Sequence, residues 1–323
     1  MKTRLPSCLA AACLAAAAFA AAAQDAYPSR QIHMIVPLAA GSAVDVAARV
    51  LTQRMGDELG QSIYLENVPG SAGLLGTERL ARAAGDGYTI GGVNDSVLAM
   101  VPNMYKTSWD PLADLVPVSL VGTIEWGLVV KPDSPYRTVQ DFIDDARKRP
   151  GDLNYGSGGS GSPQHLAMAM FASRVGIRMT HVPYKGATPA AIAVAGGEVD
   201  AAFQGLGTVV PLISSGKLRL LAVSTPQRLP QFPDVPTVVE AGVPGFFFNS
   251  WFAMVAPKDT PRPVVDRLYA AMSESLKDEA VRKRLTEQGL TVRGTTPDEL
   301  RDALKDQHAL YRKVIQDEGI KVQ

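Results

Sequence analysis

The stretch "NYGSGGSGSPQH" (154–165) contains Gly156-x-Gly158-x-x-Gly161. That spacing could carry a dinucleotide, could be a flexible linker, or could present backbone N–H groups to another anion. A dinucleotide loop needs an acid about twenty residues on to hold the ribose, yet no Asp or Glu occurs between Asp152 and Glu198. A nucleotide P-loop is excluded too, because no Gly-Lys-Ser/Thr follows the glycines. Linkers are not followed at once by a marked helix start. Here Ser160 or Ser162 can cap a helix and Pro163 can be its first residue. The charges between 153 and 197 are Arg174, Arg178 and Lys185, all positive. A glycine-rich turn at a helix N-terminus leaves N–H groups free in a field of partial positive charge. From this loop alone, an anion site and a tight turn without a ligand are equally admissible.

Two further stretches, "PLAAGSAVD" (37–45) and "NVPGSAGLLG" (67–76), are small-residue turns of the same kind. Catalytic groupings are not apparent. His33 falls within an expected strand, His308 on the last helix and His181 mid-strand. His165 sits at the glycine loop, where it could donate to an anion or simply cap and pack. No H-E-x-x-H, paired metal-ligand histidines or G-x-S-x-G elbow occurs. Ser214-x-x-Lys217 lies in the turn "SSGKL" and reads as chance, and the cluster Asp141, Asp144, Asp145 as a solvated helix face. No nucleophile is paired with a base, so a binding protein without metal or cofactor is expected rather than an enzyme.

The elements that must position these loops recur twice. "IHMIVP" (32–37) reads as a strand, followed by a helix with Val44, Ala48, Leu51, Met55 and Leu59 on one face. A strand at 62–70, a helix over about 71–84 and a strand at 87–93 follow. The second set is a strand at 153–155, a helix at 163–174, a strand at 178–186, a helix at 188–195 and a strand at 198–205. Such alternation implies parallel strands with helices on both faces. Ligands of open α/β sheets sit beyond the carboxyl ends of the strands, where all three loops fall. Ser42 with Asp45, Thr138 with Asp141 and Thr296 with Glu299 have capping-box spacing. Pro163, Pro261 and Pro297 suit first helical positions. "SWFAMVAP" (250–257) reads as a buried strand that returns the chain to the first lobe. Leu300, Leu304, Tyr311 and Ile315 form a stripe that packs the last helix on a lobe.

The N-terminus reads as a secretory signal: Lys2 and Arg4, an apolar run from Leu5 to Phe19, and Ala21-Ala22-Ala23 before Gln24. A lipoprotein signal ending at Cys13 is the rival, with Ala10 where Leu is wanted. Both cysteines, Cys8 and Cys13, lie in this segment. The mature chain thus offers neither disulfides nor thiol chemistry. Removing Lys2 and Arg4 leaves 30 basic against 32 acidic residues, without the basic excess of a nucleic-acid binder. About 300 residues exceed one comfortable core, so two lobes are expected.

The fragments "YPSRQIHMIVPLAAGSAVDVAARVL", "LGQSIYLENVPGSAG", "DGYTI", "GSGGSGSPQHLA", "HVPYKG", "DVPTVVEAG" and "SWFAMVAP", in that order and spacing, resemble the tripartite tricarboxylate transporter receptor family, the Bug-type (TctC-type) periplasmic solute-binding proteins. The resemblance runs over essentially the whole mature chain. It implies an α/β, two-lobed Venus-flytrap fold, each lobe a mainly parallel sheet flanked by helices. After a signal at 1–23, the lobes would be 24–122 with 250–323, and an inserted 123–249. It further implies a monomeric periplasmic protein holding a mono- or dicarboxylate, largely through backbone N–H groups and bridging water. By match of motif the first loop contributes Ala39, Ala40, Gly41, Ser42 and Asp45, and the second Gly70, Ser71, Ala72 and Gly73. Asn94, Asp95 and Ser96 follow the third strand, and Ser160, Gly161, Ser162 and His165 come from the other lobe. The family's usual glycine pair is Gly41-Ser42 here, so Ser42 could donate directly. Where the family often has Asp or Asn after "VD-x-x-F", this chain has Gln204, which disfavours amino-acid ligands. Lobe closure would hinge near Gly122–Ile124 and Asn249–Ser250, with Trp126, Phe248 and Trp251 either packing the crossings or shaping the far end of the site. Three roles follow: delivery to a membrane permease of TctA/TctB type, presentation to a sensor kinase, or, as a non-receptor alternative, an exported hydrolase.

Overall fold

The computed structural model describes residues 27–317, so the signal sequence and both cysteines lie outside the described residues. Among the described residues no helix is long and apolar enough to cross a membrane. The chain opens with β1 (Ile32–Val36), α1 (Ala43–Leu59), β2 (Ile63–Asn67), α2 (Leu74–Ala81) and β3 (Thr89–Asn94). β2, β1 and β3 are parallel neighbours, as a β-α-β-α-β path requires. The expected face of α1 is fully inward: Val44, Ala48, Leu51, Met55 and Leu59 are all buried.

The helix expected from residue 71 begins later. Ser71–Gly73 form one tight turn in which Ser71 and Ala72 have φ of 48° and 54°, left-handed values that no right-handed helix tolerates. α2 starts only at Leu74. Gly76 lets it approach the end of β1, since a Cβ there would lie 2.6 Å from the Val68 carbonyl oxygen and 2.8 Å from Pro37 Cα.

After β3 a wide helical turn, Ser96–Met100, runs into the short α3 (Val101–Met104). Then comes β4 (Leu115–Val130), a 16-residue strand whose length sequence periodicity did not indicate. Leu115–Glu125 pair antiparallel with β9 (Asn249–Pro257), which also pairs with β3. Trp126–Val130 pair instead with β7 (Ala201–Gly205), and Gly127–Val130 with β8 (Arg219–Val223). β4 therefore belongs to both halves of the molecule, and its partners change between Glu125 and Trp126. Thr123 and Ile124 are register partners of Trp251 and Ser250 in β9, so the two strands cross side by side.

The second half contains α4 (Val139–Lys148), β5 (Asn154–Ser157), α5 (Pro163–Val175), β6 (Thr180–Pro183), α6 (Ala187–Gly196), β7 and α7 (Leu206–Ser214). β6, β5 and β7 are parallel, repeating the first half. Each half is thus mixed: three parallel strands joined to antiparallel crossing strands. After β9, α8 (Arg262–Lys277), α9 (Glu279–Glu287), β10 (Leu290–Val292) and α10 (Pro297–Asp317) cover the first half. Leu300, Leu304, Tyr311 and Ile315 are buried against β4 and the 96–100 turn. Pro163 and Pro297 begin their helices as expected. Pro261 instead occupies the cap before α8, its φ of −60° and ψ of 140° being extended backbone.

Candidate functional site

A cavity with about 910 Å³ of empty space, mouth included, lies where the two halves face each other. Its wall is built at the carboxyl ends of the parallel strands, and four α-helices start on it. Ala43 and Val44 open α1, Pro163 and Gln164 open α5, Ala187 opens α6, and Thr208 is in the first turn of α7. The first N–H groups of a helix have no intrahelical acceptor, and each N-terminus carries roughly half a positive charge. Among the described residues no Asp or Glu contributes to the wall, whereas the exposed Lys185 does. The field inside is therefore suited to an anion. Apolar surface comes from Leu38, Ile124 and Trp126. The Trp126 indole is fixed by Nε1 donating to Ser250 Oγ at 3.0 Å and by an edge contact with Phe248. Trp126 thus serves both crossing and cavity, Phe248 backs it, and Trp251 does not reach the wall.

Of the residues expected at the site, Ala39, Ser42, Gly70, Ser71, Ala72, Gly73, Asn94, Ser96, Ser160 and Ser162 line the cavity. The other seven do not line it. Asp45 is buried, and its carboxylate accepts from Gly41 N at 2.8 Å, Asn67 Nδ2 at 3.0 Å and Arg49 Nε at 3.1 Å. It reaches back to Gly41 rather than Ser42, so the capping box is only half made: Ser42 Oγ accepts from Asp45 N at 3.3 Å. Asp45 thus holds the first loop to the end of β2. Ala40 and Gly41 face α6, where Thr188 Oγ1 donates to the Ala40 carbonyl at 2.8 Å.

Asp95 is fully buried beneath the wall and accepts from Tyr311 Oη on α10 at 2.7 Å. Burial pushes its carboxyl up to about 7, against the pull of Tyr311 and of backbone donors at Trp251 and Ser96. His165 turns inward from the glycine loop and its Nδ1 accepts from Gly161 N at 3.0 Å. Its ring stacks on His181 at 4.1 Å, and His181 lies 4.9 Å from Tyr155. Desolvation lowers both histidines, His181 to about 4 with His165 adding to its shift. A neutral His165 is what an accepting Nδ1 requires. The Gly161 N–H is thereby occupied. Gln204 is buried behind Gln164, whose Nε2 donates to Gln204 Oε1 at 3.4 Å, so Gln164 brings the amide to the wall.

Several wall residues escaped the sequence reading. Gly186, Ala187, Gly205 and Thr208 follow β6 and β7, and the carboxyl-end rule applied to those strands would have found them. Tyr105 has no such signal. It follows α3 and its hydroxyl donates to the Ser160 carbonyl at 3.0 Å, across the cleft. With Thr188 to Ala40 it ties the two halves together.

The profile of the tripartite tricarboxylate transporter family receptor matches residues 47–320. The structure of periplasmic binding protein BugD superimposes with a TM-score of 0.88 at 31% identity, covering 92% of this chain and 100% of that one. R. palustris Rpa4515, solved with adipate, gives 0.89 at 32% identity over 92% and 100%. MatC from Rhodopseudomonas palustris, solved with bound malate, gives 0.84 at 31% identity over 90% and 100%.

Proposed function

Because the chain belongs to the tripartite tricarboxylate transporter receptor family, we propose that it is a periplasmic solute-binding protein that captures a small mono- or dicarboxylate between its lobes and hands it to a membrane permease. The observation that carries the reading is the convergence of four helix N-termini on a cavity whose wall, among the described residues, includes no Asp or Glu. Hydrogen bonds to a charged group contribute about 1.5–3 kcal/mol each, so micromolar binding, about 8 kcal/mol, needs roughly four or five good donors before ordering costs. Ser42 Oγ, the N–H groups of Ala43, Val44 and Ala187, and the Gln164 amide form such a set, drawn from both lobes. One carboxylate would sit at the first loop near Ser42 and the Ser71–Gly73 turn. The remainder of the ligand would run along Ile124 and Trp126 toward Ser160, Ser162 and Gln164. Adipate and malate in two relatives support a carboxylate of this size.

Lobe closure would bend β4 and β9 where the pairing of β4 changes, beside Glu125 and Asn249. The test is a thermal-shift screen of C2 to C8 mono- and dicarboxylates. A ligand at a hundred times its Kd stabilises by about 2.7 kcal/mol and raises the melting temperature by several degrees. A flat response to every carboxylate would overturn the reading. Delivery is tested by deleting the gene and measuring uptake of the ligand so found, with unchanged uptake as the contrary result.

A further inference from the structure

Tyr105 and Ser160 both line the cavity but belong to opposite halves, and a single hydrogen bond from the Tyr105 hydroxyl to the Ser160 carbonyl joins them. The peptide between Ser160 and Gly161 is held at both ends. Its C=O accepts from Tyr105, while its N–H donates to His165 Nδ1 within its own half. The Gly161 conformation, with φ of 81°, suits glycine, and Met104, next to Tyr105, packs against it closely enough that a Cβ would lie 2.7 Å from Met104 Cε. A bare carbonyl at this point would be an acceptor beside an anion-binding cavity. It would repel a carboxylate and attract an ammonium group. The phenol satisfies it from the other half of the molecule.

We propose that Tyr105 is a specificity-determining residue, whose hydroxyl masks the Ser160 carbonyl on closure and so favours carboxylates over ligands that carry an ammonium group at that end of the cavity. The inference rests on the carboxylate-receptor reading above. Burial raises the Tyr105 phenol above its ordinary value, which keeps it a neutral donor. Gln164 on the same wall and Gln204 behind it are neutral and offer no carboxylate to an ammonium. The Ser160 carbonyl is therefore an acceptor that such a group could use, and Tyr105 takes it.

Calorimetric titration with three matched pairs tests this: succinate and aspartate, glutarate and glutamate, adipate and 2-aminoadipate. The wild type is expected to prefer the plain diacid. In Tyr105→Phe, which removes one oxygen, the preference in the best-binding pair should shrink about tenfold, the scale of one hydrogen bond. Thr188→Val removes a second tie across the cleft, to the Ala40 carbonyl, and should weaken both members of the pair equally. A Tyr105→Phe preference equal to wild type, or an equal shift in Thr188→Val, would overturn the role of Tyr105 while leaving the receptor reading intact. A wild type that binds none of the six and no other carboxylate would overturn both.

Discussion

Replacing Asp95 with Asn separates a buried structural acid from a ligand-binding one. Motif position places Asp95 beside Asn94 and Ser96, both on the cavity wall. Its carboxylate instead lies fully buried under the wall, against Tyr311 of α10. Burial raises its pKa from the ordinary 3.8 to about 7, so the folded state holds a proton that the unfolded chain has released. An acid with a raised folded pKa contributes no penalty below the unfolded value. The penalty grows as pH rises and is complete above the folded pKa. Three pKa units correspond to about 4 kcal/mol, of which about 3 kcal/mol develops between pH 5 and pH 8. Asn is nearly isosteric, keeps an oxygen for the Tyr311 hydroxyl and never ionises. Asp95→Asn should therefore gain stability over wild type as pH rises, by about 3 kcal/mol across that interval, with carboxylate affinity unchanged. Urea unfolding of both proteins at pH 5, 6, 7 and 8 measures the difference, in which the titration of all other groups cancels. Parallel pH profiles would refute the burial argument. A large loss of affinity at constant stability would return Asp95 to the ligand.

Three further outcomes are expected. Gly161→Ala should cost about 1–2 kcal/mol in a urea melt, because φ is 81° there, and should also weaken carboxylate binding, because Met104 must give way when the lobes close; an unchanged affinity in calorimetry would count against closure at this point. Ala72→Gly should stabilise by up to about 1 kcal/mol by relieving the left-handed backbone at φ of 54°, and a thermal melt below wild type would show that side-chain contacts matter more. His181 is held to about 4, so its neutral form favours folding at pH values above about 6.5, and that contribution is lost as pH falls toward 4. Accordingly His181→Gln should flatten the acid limb of the stability profile between pH 6.5 and 4, and an unaltered limb would contradict this.

Much of the architecture follows from local pattern. The inward face of α1, the stripe on α10 and the caps at Ser42, Thr138 and Ser162 are properties of neighbouring residues, and each is found as its spacing requires. The missing acids between Asp152 and Glu198 already pointed away from a dinucleotide and toward an anion at the glycine loop. Together with the carboxyl-end rule, this pointed to loops that border the cavity. The start of α2 was not legible, because the left-handed pair Ser71 and Ala72 breaks a pattern that composition leaves unmarked.

Tertiary structure alone decided which side of each loop meets the cavity. Asp45, Asp95, His165 and Gln204 belong to the same short stretches as Ser42, Asn94, Ser162 and Gly205, yet their side chains turn into the protein toward partners such as Asn67, Tyr311, Gly161 N and Gln164. Those directions depend on backbone angles within a turn and on partners as far as 216 residues away, as in Asp95 with Tyr311. The same holds for β4, whose 16 residues serve two sets of partners, and for Tyr105, which meets Ser160 from the opposite half of the molecule. Residue order determines which turns can form and what charge they lack. Only packing between distant segments determines where those turns point and which of their polar groups are already taken.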